Sequence, residues 1–101
     1  MVVIPPLCDE DFVYIPTAFT PNEDSKNDQW GVFSTAVDEM LLIVYDRWGN
    51  KVFESTEVTN KWDGMNSKGL PYPSDVYGWH CRYTCFGGLS FEQKGNVTLL
   101  R

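Results

Sequence analysis

The chain has 101 residues and a formal net charge of −6, and 15% of its residues are aromatic. This length suits one domain with a single core. The acidic balance excludes the basic surface that nucleic acids and anionic lipids require. The longest apolar run, residues 40–45, is far shorter than the ~20 residues of a membrane span, so we expect no direct membrane insertion.

Strand and turn signals alternate along the chain, and no window keeps helical periodicity for three turns. Residues 1–10 are predicted to be a linker without the features of a signal peptide. A short strand follows at 12–15, a polar loop at 20–28 and an extended segment at 30–33. Residues 39–46 are apolar on both faces, which predicts a central strand.

A turn at residues 48–50 leads into a predicted hairpin strand at 51–54, and residues 55–69 are rich in turn-forming residues. Long strands are predicted at 76–86 and 91–100. In the first of these, alternation places the large residues on one face: Tyr77, Trp79, Cys81, Tyr83 and Cys85. These elements predict an all-β fold, an immunoglobulin-like antiparallel β-sandwich of about seven strands.

The cysteines are Cys8, Cys81 and Cys85, an odd number. Cys81 and Cys85 would lie about 13 Å apart on one strand, too far to bridge each other. Two interpretations stay open. In an exported protein Cys8 can bridge either of the others, and the alternative, which we favour, is that they are small buried thiols.

Five segments stand in a characteristic order: residues 16–28, with a Phe-Thr-Pro-Asn loop; 46–49, Asp-Arg-Trp-Gly; 62–64, Trp-Asp-Gly; 75–77, Asp-Val-Tyr; and 94–101, which starts Lys-Gly and ends on Arg. In this order they resemble the gliding-motility-associated C-terminal domain of the Bacteroidota, the type B sorting domain of type IX secretion. The sequence departs from the family pattern where Glu23 and Ser25 replace loop glycines, Asp46 replaces an asparagine and Asp75 replaces a glycine.

The resemblance implies that residues 11–101 are a C-terminal sorting domain. Such a domain is a non-catalytic secretion signal, which directs a large, adhesin-like passenger across the outer membrane by the type IX secretion system. The implied location is the cell surface or the extracellular space, reached through the periplasm. The implied partners are translocon components and a small outer-membrane barrel protein.

Two segments are candidates for partner recognition. Arg47 and Trp48 lie at the predicted hairpin tip and are residue types favoured at binding hot spots. The final strand adds Lys94, Gly95, Thr98, Leu99, Leu100 and Arg101. For the tip we favour a structural interpretation, in which Trp48 folds back on the core and Arg47 stacks or pairs with a carboxylate such as Asp63.

The segment of Trp62, Asp63 and Gly64 is predicted to be a structural turn. Trp62 would plug the end of the sandwich, and Asp63 would accept hydrogen bonds from backbone groups.

Oxygen donors cluster in the polar loop, at Asn22, Asp24, Asn27 and Asp28. A hard cation such as calcium requires ligands of this kind. Lys26 stands where an EF-hand-like loop would place another donor, so the spacing match is poor. A turn closed by Asn and Asp side chains is the favoured alternative, and we expect no other cofactor.

No enzyme is expected, because the sequence shows no nucleophile–base pair and no Cys/His metal spacing. The only histidine, His80, is predicted on the strand face opposite Cys81 and Cys85. The alternative function is a carbohydrate- or protein-binding β-sandwich module of a surface protein, with Trp30, Trp48 or Trp79 as stacking platforms. A structural spacer within an adhesin is a third hypothesis.

Overall fold

The computed structural model describes residues 13–21, 28–86 and 88–100. In these ranges the chain forms five strands and no helix: β1 (Ala18–Phe19), β2 (Val37–Tyr45), β3 (Lys51–Ser55), β4 (Asp75–Cys85) and β5 (Ser90–Leu99). They make one sheet in the order β1-β5-β4-β2-β3. β1 runs parallel to β5, and all other neighbours are antiparallel. The described part of the chain therefore contains no helix that could cross a membrane.

The prediction of an all-β fold is confirmed. The prediction of an immunoglobulin-like antiparallel sandwich of about seven strands is not confirmed, because the described residues form five strands in one mixed sheet. β2 to β5 lie within about two residues of their predicted bounds. The predicted linker, residues 1–10, lies outside the described residues.

In the segments predicted as strands at 12–15 and 30–33, the described residues form only isolated bridges, Tyr14 with Phe33 and Trp30 with Trp62. Pro16 explains why no longer strand forms, since proline has no N–H to give to a ladder. The Pro16 carbonyl instead accepts a 2.6 Å hydrogen bond from the indole N–H of Trp30. These irregular segments form a layer that packs on the sheet.

The core lies on one face of the sheet. The large residues that alternation placed on one face of β4 are all buried there, with Met40, Leu42 and Val44 of β2 beside them. The layer opposite contributes Trp30 and Trp62, which are 0% and 1% exposed. The Trp62 ring lies 5.3–6.5 Å from its aromatic neighbours Phe19, Trp30, Phe53, Tyr72 and Tyr77. The aromatic layer thus covers the core face of the sheet, where a sandwich would place a second sheet.

The cysteines differ in state. Cys81 is a buried free thiol, as the favoured interpretation predicted. Cys85 is disulfide-bonded, so the same interpretation is wrong for that residue. Cys8 lies outside the described residues.

Candidate functional site

The β2–β3 hairpin turn is closed by one carboxylate. Asp46 accepts hydrogen bonds of 2.9 Å from the backbone N–H groups of Trp48 and Asn50. Gly49 takes the positive φ of 83° that the turn requires. Burial acts to raise the pKa of Asp46, but the hydrogen bonds from Asn50 and Trp48 outweigh it and hold that pKa below its usual value. The turn is therefore well defined, and it holds the tip clear of the core.

Trp48 is 76% exposed at this tip, so the prediction that it folds back on the core is wrong. The reason is geometric: the last strand pair is Tyr45 with Lys51, and the turn carries Trp48 beyond the end of the sheet. The Arg47 guanidinium lies 5.5 Å from the centre of the Trp48 ring. As expected, it also pairs with a carboxylate, but the partner is Asp75, at 2.7 Å, and not Asp63.

The salt bridge joins the tip to the end of the final strand, because Asp75 is the ladder partner of Leu99. The next ladder pair is Val76 with Thr98. Exposed apolar side chains occur at the same end of the sheet: besides Trp48, Val76 is 48% exposed, and Leu100, which follows Leu99, is 49% exposed. We call Arg47, Trp48, Asp75, Val76 and Leu100 the end surface.

The final strand contributes less side-chain surface than predicted. Leu99 is fully buried in the core, and Gly95 lies under the Trp79 ring, where a β-carbon would come within 3.0 Å of a ring atom. Lys94 and Leu100 are exposed, and Thr98 is half-buried. Arg101 lies outside the described residues.

The end of β5 is also held by backbone bonds. The Thr98 N–H donates to the Thr17 carbonyl at 2.8 Å, and the Leu100 N–H donates to the Phe19 carbonyl at 3.0 Å. The described chain is therefore tied to the sheet up to Leu100.

The predicted structural turn at residues 62–64 lies in the irregular layer that packs on the sheet. Trp62 is buried, and the Asp63 carboxylate accepts a 3.0 Å hydrogen bond from the Met65 N–H. Gly64 has a φ of 79° and is buried, so a side chain there would be strained.

For a metal site, three of the four predicted ligands, Asn22, Asp24 and Asn27, lie outside the described residues. Asp28 is described and half-buried. Among described residues, no group of three or more His, Cys, Asp or Glu side chains could hold a metal ion.

His80 lies on the outer face of the sheet, in an ion-pair cluster. Its Nε2 atom is 3.1 Å from Glu92, which also accepts from Arg82 at 3.2 Å. Hydrogen bonds from His80 and then Arg82 lower the pKa of Glu92. The two other tryptophans proposed as platforms, Trp30 and Trp79, are buried and cannot stack on a ligand.

An open cleft of about 910 Å³, which no sequence motif predicted, lies between the Tyr14–Phe19 region and Lys61. Exposed Tyr14 and Phe33 line it, with ring centres 6.2 Å apart. The Lys61 amine lies 4.7 Å from the centre of the Phe33 ring and donates to the carbonyls of Val32 and Val58. Desolvation lowers the pKa of Lys61. The pairing of Tyr14 with Phe33 left no signal in the sequence, because it joins two short irregular segments.

Comparison with family models matches residues 13–99 to the CHU_C Type IX secretion signal domain. The match includes the whole sheet and the hairpin tip. The comparison with curated proteins found no match.

Proposed function

Because the chain belongs to the type IX secretion signal domain family, we propose that it directs a large, adhesin-like passenger across the outer membrane to the cell surface. The observation that carries this proposal is the family match, which covers residues 13–99 of the 101-residue chain. A secretion signal acts by being bound and requires no chemistry. The domain is accordingly proposed to be non-catalytic.

The disulfide at Cys85 supports export. Disulfides form and persist in the periplasm and at cell surfaces, and they are rare in the reducing cytosol. A domain that passes through the periplasm would meet the oxidising conditions that this bond requires.

We propose that the end surface is one docking site for translocon components and for a small outer-membrane barrel protein. Trp48 supplies the large exposed aromatic ring of a binding anchor, and the neighbouring Arg47 supplies charge. Val76 and Leu100 add exposed apolar side chains at the same end of the sheet. The tight turn at Asp46 holds this surface in place before a partner arrives, which reduces the entropy lost on binding.

The experiment fuses the whole chain to the C-terminus of a fluorescent reporter that is directed to the periplasm. The fusion is expressed in cells with and without a working type IX system. We expect reporter at the surface or in the medium only in the first strain. Reporter that stays in the periplasm of both strains would rule out the proposed function.

A second candidate function is a carbohydrate- or protein-binding module, which the exposed Trp48 ring favours. A glycan array and quenching of tryptophan fluorescence by sugars test it. Sugar binding that is lost in Trp48→Ala, without any effect of Trp48→Ala on export, would favour this candidate.

A calcium site at Asn22, Asp24, Asn27 and Asp28 stays a proposal for the polar loop. Its test is thermal unfolding in millimolar calcium and in chelator. Equal melting temperatures would remove the site.

A further inference from the structure

One edge of β5 is only partly paired. β4 covers the other edge along the full length, from Ser90 to Leu99. On the free side, β1 pairs with Thr98 and Leu99 alone. In the described ranges no strand lies beside the preceding part of β5 on that side.

The backbone direction along this edge follows from the ladder. The N–H groups of Thr98 and Leu100 point away from β4, because they donate to Thr17 and Phe19. The register between β4 and β5 runs without a shift from Ser90 to Leu99. Since strand geometry repeats every two residues, the N–H and C=O groups of Glu92, Lys94 and Asn96 point to the same open side.

The described residues before β1 turn away from this edge. Before β1, Pro16 offers no N–H and gives its carbonyl to Trp30, and Tyr14 pairs with Phe33. β1 therefore stops short of the region opposite Glu92 and Lys94.

The edge lacks several of the devices that protect natural edges against strand pairing. Those devices include prolines, bulges, inward-pointing charges and charged side chains, especially lysine. Residues 90–97 have no proline and no shift of register, and of these devices they carry only the charged side chains of Glu92 and Lys94. The inward positions are uncharged: Phe91 stacks on Tyr83 at 5.6 Å, and Gly95 lies under Trp79. The charges of Glu92 and Lys94 lie on the opposite, outer face.

Trp79 adds a second observation at this place. Its indole nitrogen is buried and has no hydrogen-bond partner among the residues that the structure describes. A β-carbon on Gly95 would lie 3.3 Å from that nitrogen, so the unpaired donor stands directly beside β5. Buried donors without partners are rare in native proteins, and each calls for an explanation such as strain or a bound water or ion.

We propose that this edge of β5 binds an extended strand of a partner protein through backbone hydrogen bonds. The fitting strand alternates in character: apolar residues face Phe91 and Gly95, and an acidic residue lies opposite Lys94. Glu92 already pairs with His80 and Arg82, so a polar residue without charge fits opposite it. The inference rests on the proposed function, in that the partner is a component of the export machinery.

A second copy of this chain fits the edge less well. Antiparallel self-pairing that sets Glu92 opposite Lys94 of the second copy would set Leu89 of the second copy opposite Val97. Thr17, which precedes the pair of Ala18 with Thr98, already occupies that place. A partner strand that does not extend to the position opposite Val97 meets no such obstacle.

Hydrogen exchange on the free protein is the first test. The amides of Glu92 and Lys94 should exchange at least ~100-fold faster than those of Gln93 and Gly95, which pair with β4. Equal protection of all four amides would mean that the chain covers its own edge, and it would overturn the inference.

The second test uses the reporter fusion with two matched pairs of variants. Lys94→Pro removes an outward N–H without touching the β4 ladder, whereas Lys94→Ala removes the same side chain and keeps the N–H. A second pair of variants is needed in case the proline unfolds the sheet. In this pair Gln93→Lys places a charge on the inward side of the edge, and Gln93→Ala is its matched control. Each blocking variant should be exported at least about fivefold less than its match, because one or more backbone hydrogen bonds are lost.

The outcomes separate the two proposals. If the unaltered fusion is not exported, the proposed function fails. If it is exported and folded blocking variants equal their alanine matches, the edge inference fails and the proposed function stands. Dimerisation of the purified protein that Lys94→Pro abolishes would make a second copy the occupant and would likewise overturn the inference.

Discussion

Arg47 and Asp75 are 28 positions apart in the sequence, yet the Arg47 guanidinium lies 2.7 Å from the Asp75 carboxylate. Asp75 in turn pairs with Leu99. One salt bridge therefore connects the hairpin tip to the end of the final strand, the two segments singled out as recognition candidates. Both charges are partly exposed, so the pair adds little stability. Its main effect is to orient the end surface.

The salt bridge predicts a pH effect. The hydrogen bond from Arg47 lowers the pKa of Asp75 below its ordinary value of 3.8. A carboxylate with a lowered pKa in the folded state stabilises the fold above its unfolded pKa, and that stability is lost as the pH falls through the folded value. The free energy of unfolding of the unaltered protein should therefore exceed that of Asp75→Asn at pH 7, by a margin that shrinks below about pH 3.8.

Urea unfolding at pH 7, 4 and 3 measures this margin. Asp46 and Glu92 also have lowered pKa values, so both proteins lose stability in acid, and only the difference between them reports on Asp75. A margin that is constant down to pH 3 would contradict the assignment.

Trp62 and Trp48 should respond in opposite ways to truncation. Trp62→Ala removes a fully buried ring that contacts five other aromatic rings, and it should cost about 3–5 kcal/mol of unfolding free energy. Trp48→Ala removes an exposed ring and should leave stability within about 0.5 kcal/mol of the original. Denaturant titrations followed by circular dichroism compare the two. Similar losses in both variants would show that the tip packs on the core.

Gly95 and Gly78 form a matched pair on neighbouring strands. A β-carbon at Gly95 meets the Trp79 ring at 3.0 Å, whereas one at Gly78 meets nothing closer than 3.9 Å. Gly95→Ala should therefore destabilise the fold by about 1–3 kcal/mol through overpacking. Gly78→Ala should be neutral or slightly stabilising, because alanine restricts the unfolded chain more than glycine does. Thermal unfolding of both variants is the measurement, and equal melting temperatures would argue against close contact between Gly95 and Trp79.

The two β4 cysteines should differ in reactivity. Burial raises the pKa of Cys81 to about 12, so its thiol should resist alkylation at pH 8 in the folded protein. In denaturant without reductant, Cys81 should be alkylated and Cys85 should not, since Cys85 is disulfide-bonded. Peptide mass spectrometry reads out both sites. Modification of Cys85 before reduction would exclude the disulfide.

The local sequence pattern was sufficient to predict the long strands. Alternation along β4 predicted which side chains are buried, because successive residues of a strand point to opposite faces whatever its neighbours are. The order of short motifs likewise indicated the family, which the match over residues 13–99 confirms. Pro16 marked the end of the first predicted strand, because the loss of a backbone N–H acts locally.

What the sequence by itself determined is thus the all-β class, the buried face of β4 and the family. Tertiary structure alone decided that Asp75 lies beside Arg47, that Trp48 is exposed, and that β1 pairs only with Thr98 and Leu99 of β5. The physical reason is that the face on which a strand residue lies depends only on whether its position in the strand is odd or even. A salt bridge or an open edge depends instead on which distant strand lies beside the first strand and where that distant strand ends.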